Sequence, residues 1–89
     1  MHSRSKEKVE QLMRKGVAVP NPESVLIGDE VELDRIAGDG VVIYPGCKIF
    51  GEKTLIMSGV KLGYEGPVTV EDCQIGPDVE LKGGFFRRS

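Results

Sequence analysis

At 89 residues and 9.7 kDa, the chain is one small domain at most. Twelve basic and fourteen acidic side chains give a formal net charge of −2, which excludes the strongly basic surface of a nucleic-acid binder. No apolar run approaches the ~18 residues of a membrane span, and residues 1–8 lack the apolar core of a signal peptide. Neither nucleic acid nor membrane is therefore expected as a partner, and the expected compartment is the cytoplasm. Eleven Val and six Ile stand against six Leu and two Ala, a balance that favours pleated strands over helices. Twelve Gly, against a usual ~7%, and five Pro add frequent turns. Composition thus points to an all-β fold with short strands and many corners.

The first element is the exception. From about Ser5 to Lys15, Val9, Leu12 and Met13 recur at helical spacing among Lys, Glu, Gln and Arg. Ser3 or Ser5 suits an N-cap, Gly16 the left-handed position after the last turn, and Arg14 and Lys15 the negative end of the helix dipole. About 11 residues make a marginal helix alone, so this one should pack on something. Residues 1–16 are read as a linker helix and 17–89 as the domain that follows. Pro20-Asn21-Pro22 forces an extended or turning connection into it.

A repeat runs through that domain. Ile43, Ile49, Ile56, Leu62, Val68, Ile75 and Leu81 are separated by 6, 7, 6, 6, 7 and 6 residues, so each mark finds a partner 19 residues on. Ile43 should stack with Leu62 and Leu81, Ile49 with Val68, and Ile56 with Ile75. Asp39-Gly40-Val41-Val42-Ile43, Ser58-Gly59-Val60-Lys61-Leu62 and Pro77-Asp78-Val79-Glu80-Leu81 agree as two turn residues, a Val, a variable residue and an aliphatic. The Val and the aliphatic point one way from a strand, and the residue between them points out. The pattern predicts three-sided coils whose strands pair in parallel with their equivalents one coil later; stacking creates the core. The first coil is less regular. Asp29-Glu30-Val31-Glu32-Leu33 repeats the motif, but Ile36 or Ala37 is its next mark, and 16 residues from Ile27 to Ile43 predict a short or distorted coil.

The six-residue, isoleucine-led spacing resembles the hexapeptide repeat of left-handed parallel β-helix proteins. Leu12-Met13-Arg14-Lys15-Gly16-Val17-Ala18-Val19-Pro20-Asn21-Pro22, Ile27-Gly28-Asp29-Glu30-Val31 and Val42-Ile43-Tyr44-Pro45-Gly46-Cys47-Lys48-Ile49-Phe50-Gly51 resemble the helix-to-β-helix junction of bifunctional N-acetylglucosamine-1-phosphate uridyltransferases. The resemblance spans roughly residues 9–81 and implies a left-handed β-helix of about three coils preceded by one α-helix. It also implies a transferase relative. A homotrimer packed through its β-helix faces is expected. The family's coils are slightly shorter than the 19 residues found here. Its Gly-rich nucleotide loop has no counterpart in this sequence, and its acetyl-transfer site lies in later coils, so no catalytic residue carries over.

Individual residues add little chemistry. His2, the only histidine, precedes the helix and is not assigned a general-base role. One histidine also excludes the three-His zinc site of the related γ-class carbonic anhydrases, and no metal site is expected. Cys47 and Cys73, two before the marks Ile49 and Ile75, are read as small buried core residues on different faces, unable to form a disulfide. Gly28, Gly63 and Gly76 are read as corner residues rather than a phosphate loop. Asp29, Glu30, Glu32, Asp34, Glu71, Asp72, Asp78 and Glu80 are read as solvated surface. No cofactor is expected, and no cofactor-binding residue is assigned. In the 19-residue register Arg87 follows Val68, unless Phe86 takes the place. The Gly83–Ser89 segment has no recognisable cap. Further coils after Ser89, or a homotrimer, are expected to cover that end. Two functions follow: a segment of a sugar-nucleotide or acyltransferase-type β-helix without a complete active site, or a non-catalytic trimerisation module.

Overall fold

The computed structural model describes residues 4–88. Helix α1 (Arg4–Lys15) leads into nine short strands: β1 (Leu26–Ile27), β2 (Val42–Ile43), β3 (Lys48–Phe50), β4 (Leu55–Ile56), β5 (Lys61–Leu62), β6 (Val68–Glu71), β7 (Gln74–Ile75), β8 (Glu80–Leu81) and β9 (Gly84–Arg87). They form three sheets, ordered β1-β3-β6-β9, β2-β5-β8 and β4-β7. Every strand pair is parallel, so the chain is a three-sided β-solenoid of about three turns. Isolated bridges, Ala18 to Val42 and Ile36 to Ile56, extend two of the sheets back into the first turn.

The aliphatic marks fill the interior. Ile43 pairs with Leu62 and Leu62 with Leu81, while Ile56 pairs with Ile75. Ile27, Ile36, Ile43, Ile49, Ile56, Leu62, Val68 and Val70 are all at most 1% exposed. Each such side chain contributes roughly 1.5–3 kcal/mol by leaving water. The valines that precede the marks, Val41 and Val60, are buried as well.

One ladder differs from the expected register. Ile49 pairs with Val70, not Val68. Six residues, Gly63–Val68, separate Leu62 from Thr69, whereas four, Tyr44–Cys47, separate Ile43 from Lys48, the residue that Thr69 pairs with. The next corner is two residues shorter: Asp72-Cys73 stands where the preceding turn has Gly51-Glu52-Lys53-Thr54. Insertion and deletion cancel, so two sheets keep the 19-residue period and the third does not. At the last strand Phe86 pairs with Val70 and takes the inward place, while Arg87 pairs with Glu71 and points out.

The first turn is longer than expected, not shorter. Ile27 pairs with Ile49 and Ile36 with Ile56, spacings above 19. Asp29–Leu33, expected to repeat the strand motif, instead makes a turn and enters the 3-10 helix Leu33–Arg35, because this turn has residues to spare at its corner. Val31 remains buried.

Helix α1 closes this end of the solenoid. Val9 and Leu12 are buried against the first turn, but Met13, expected on the same stripe, is 42% exposed. Ser5 lies inside the helix rather than at its cap, and its Oγ accepts the Ile27 N–H at 2.8 Å, satisfying a donor that has no preceding strand. Ser3 lies outside the described residues. Lys8 Nζ donates to the carbonyls of Gly28, Asp29 and Val31. The helix stops as its sequence specifies: Gly16 has φ +117°, with Val17 N–H bonding Leu12 O and Gly16 N–H bonding Met13 O. Gly38 passes so close that a Cβ there would strike the Lys15 carbonyl.

Leu62 sits in the middle of its ladder at 0% exposure, between Ile43 and Leu81. Leu62→Ala is expected to lower unfolding free energy by about 2–5 kcal/mol, measured by urea denaturation.

Candidate functional site

The residues singled out from sequence do not converge. His2 lies outside the described residues. Cys47 and Cys73 are free and buried, as expected. Cys47 Sγ donates to Leu62 O at 3.2 Å and Cys73 Sγ to Glu71 O at 3.3 Å, so both thiols serve the core. Burial pushes the Cys47 thiol above its ordinary pKa. Among the described residues no group of three or more His, Cys, Asp or Glu could hold a metal ion. None of the described helices is long and apolar enough to cross a membrane.

The acidic residues divide by role. Glu30 reaches across one turn, and its Oε2 accepts the Gly51 N–H at 2.8 Å. That bond, joined by the Glu30 N–H and the charge of Lys8, holds its carboxyl below the usual carboxylate range. Glu80 pairs with Lys61 at 3.9 Å and Glu71 with Arg87 at 3.2 Å, both at the surface. Gly63, at φ +83°, makes a corner as expected, where a Cβ would crowd Cys47 Sγ. Gly28 and Gly76 stand at corners with ordinary backbone.

Two surfaces remain as candidates. The first is the end opposite α1. Ile75, Val79, Leu81 and Phe86, with Cys73, Gln74 and Gly76, line an open apolar hollow of about 140 Å³. Phe86, Val79 and Leu81 pack on the core but stay partly exposed, and β7, β8 and β9 form the outer edges of their sheets. The second is a polar groove of about 540 Å³ lined by Lys53, Asp72, Gln74 and Arg88. Sequence reading missed it because it exists only in the true register, in which Gly51, Asp72 and Arg88 follow the paired residues Phe50, Glu71 and Arg87. The left-handed backbone that these three share was foreshadowed only by the glycine.

Sequence comparison adds relatives. The chain is 41% identical over 76 residues to the bifunctional protein GlmU of Carboxydothermus hydrogenoformans, covering 85% of this chain and 16% of that protein. It is 41% identical over 75 residues to the GlmU of Syntrophotalea carbinolica, covering 84% and 15%. It is 36% identical over 84 residues to the GlmU of Bdellovibrio bacteriovorus, covering 94% and 17%. The chain is a hexapeptide-repeat β-solenoid related to GlmU. It spans about one sixth of the length of these GlmU proteins. No protein-family model matches it, and no solved structure matches it. The GlmU relationship agrees with the fold: strand after strand in parallel, with one amphipathic helix at the start.

Two outcomes follow from this local chemistry. Because the folded pKa of Glu30 is depressed, its contribution to stability is present above the ordinary carboxyl value of 4.5 and is lost as pH falls through the folded value. Urea midpoints measured from pH 6 to pH 3 are expected to fall less steeply in Glu30→Gln than in the parent. Both thiols are expected to resist Ellman's reagent in the native chain and to react fully in denaturant; fast native labelling would contradict their burial.

Proposed function

We propose that the chain serves as a β-helix segment of the acyltransferase kind found in GlmU-related proteins, without a complete active site among its own residues. The observation that supports this most is the apolar hollow at the end opposite α1. In a solenoid each inward row is covered by the next turn, and here Val79, Leu81 and Phe86 stay partly exposed. The GlmU similarity, confined to about one sixth of those proteins, gives the same reading a sequence basis. Such a segment supplies a rigid stack on which further turns, or neighbouring subunits, complete a binding groove. Among the described residues no nucleophile, base and acyl-carrier cleft come together.

A second reading, a trimerisation module without catalytic duty, draws support from one face. On the outer side of the β1-β3-β6-β9 sheet, Leu26 and Phe85 are 45% and 64% exposed, in line with Lys48 and Thr69 between them. Large apolar side chains on a strand face suit packing against another subunit.

Light scattering over a range of concentrations, together with acetyl-CoA calorimetry, tests both readings. A stable threefold mass without acetyl-CoA binding is expected if assembly is the duty. Specific stoichiometric acetyl-CoA binding would overturn the absence of a complete site. A monomer at all concentrations, with its terminal strand amides protected from exchange, would contradict the need for a cover over the open end.

A further inference from the structure

We propose that the groove lined by Lys53, Asp72, Gln74 and Arg88 binds the phosphate group of a small anionic ligand. This inference stands apart from the acyltransferase reading, since it uses the outside of a corner and not the open end. The backbone is the first argument. Gly51, Asp72 and Arg88 occupy equivalent corner positions in successive turns, and all three are left-handed, with φ +94°, +51° and +54°. Glycine adopts that conformation freely and aspartate tolerably, but arginine rarely does. Non-glycine residues in this region concentrate where a side chain must be placed for a purpose. Here the result is an arginine at the rim of a polar groove.

Charge pairing is the second argument. Lys61, Lys82 and Arg87 each meet a glutamate, and Lys8 and Lys15 each cap backbone carbonyls. Lys6, Arg14, Lys48, Lys53 and Arg88 have no side-chain partner among the described residues, and of these Lys53 and Arg88 face one groove. The single carboxylate there, Asp72, turns its Oδ1 to the Lys53 N–H at 3.2 Å. Arg35 stands in the same corner, its Nη2 3.5 Å from Lys53 O, and its buried Nε has no partner in the structure. A chain of net charge −2 thus sets Lys53 and Arg88 around one hollow, with the Gln74 amide as a further donor. Guanidinium, ammonium and amide donors together suit the oxygens of a phosphate, and about 540 Å³ leaves room for the body that carries it.

The test is an NMR titration of amide shifts in the full chain, with orthophosphate, pyrophosphate and glucose 1-phosphate as probes at constant ionic strength and sodium chloride as control. Saturable shifts confined to residues 53, 72–74 and 88 are expected for at least one phosphate probe. Tighter binding of pyrophosphate would point to a diphosphate ligand, and tighter binding of the sugar ester to a phosphomonoester. Lys53→Gln and Arg88→Gln are each expected to weaken binding by about fivefold or more, and Asp72→Asn to tighten it by about twofold or more, while Lys61→Gln leaves it unchanged. Should Arg88→Gln disturb strand β9, seen as lost dispersion over residues 84–88, Lys53→Gln and Asp72→Asn carry the test. Shifts that do not saturate, that chloride reproduces, or that Lys53→Gln and Lys61→Gln alter equally would overturn the proposal.

Discussion

Everything in this fold depends on the parallel pairing of each strand with its equivalent one turn later. A strand of two or three residues has too few hydrogen bonds and too little apolar surface to persist by itself. Stacked, it shares both. Ile43, Leu62 and Leu81 form one inward row, and the outward residues between them are left to the solvent. The arrangement makes stability a matter of nearest neighbours, so the two ends differ in kind from the middle. At one end, α1 lays Val9 and Leu12 over the first turn, and Ser5 and Lys8 bond backbone groups there. At the other end Leu81 and Phe86 have neighbours on one side only.

Pairing constrains the strands tightly and the corners loosely. The two additional residues at Gly63–Val68 and the two missing at Asp72-Cys73 show this directly, since the ladders on either side remain in step. A corner tolerates such changes because its backbone bonds run to the neighbouring turn or to a side chain. Glu30 bonding Gly51 N–H and Asp72 bonding Lys53 N–H are examples. Left-handed residues recur at equivalent corner places: Gly40, Gly59 and Asp78 form one such column. A turn can therefore change its corner chemistry without disturbing its core.

This division explains what could be read from the sequence. The inward rows are written in aliphatic spacing, and Ile43, Ile56, Leu62, Ile75, Leu81 and both cysteines fall where that spacing puts them. The helix and its Gly16 stop follow from local rules. The partner of Ile49 did not follow, because Val68 and Val70 are both inward and a period of 19 cannot distinguish them. Asp29–Leu33 has the letters of a strand but lies in a turn with surplus length, and tertiary context decides. The groove was invisible for a related reason. Lys53, Asp72 and Arg88 are brought together by the shifted register and by β9, neither of which a fixed period reveals.

The interior has no capacity left for chemistry. Its aliphatics are packed, its two thiols bond carbonyls, and the buried hydroxyls of Thr54 and Ser5 bond the Phe50 carbonyl and the Ile27 N–H. Any ligand must therefore meet the outside of the solenoid, where faces offer apolar contact and corners offer charge. The relationship to GlmU covers 85% to 94% of the chain and so takes in the stack as a whole. Function in such a stack is added at positions the ladders leave unconstrained. That is why a residue such as Arg88, which contributes nothing to the core and sits in an unfavourable backbone conformation, says more about binding than any of the aliphatics that define the fold.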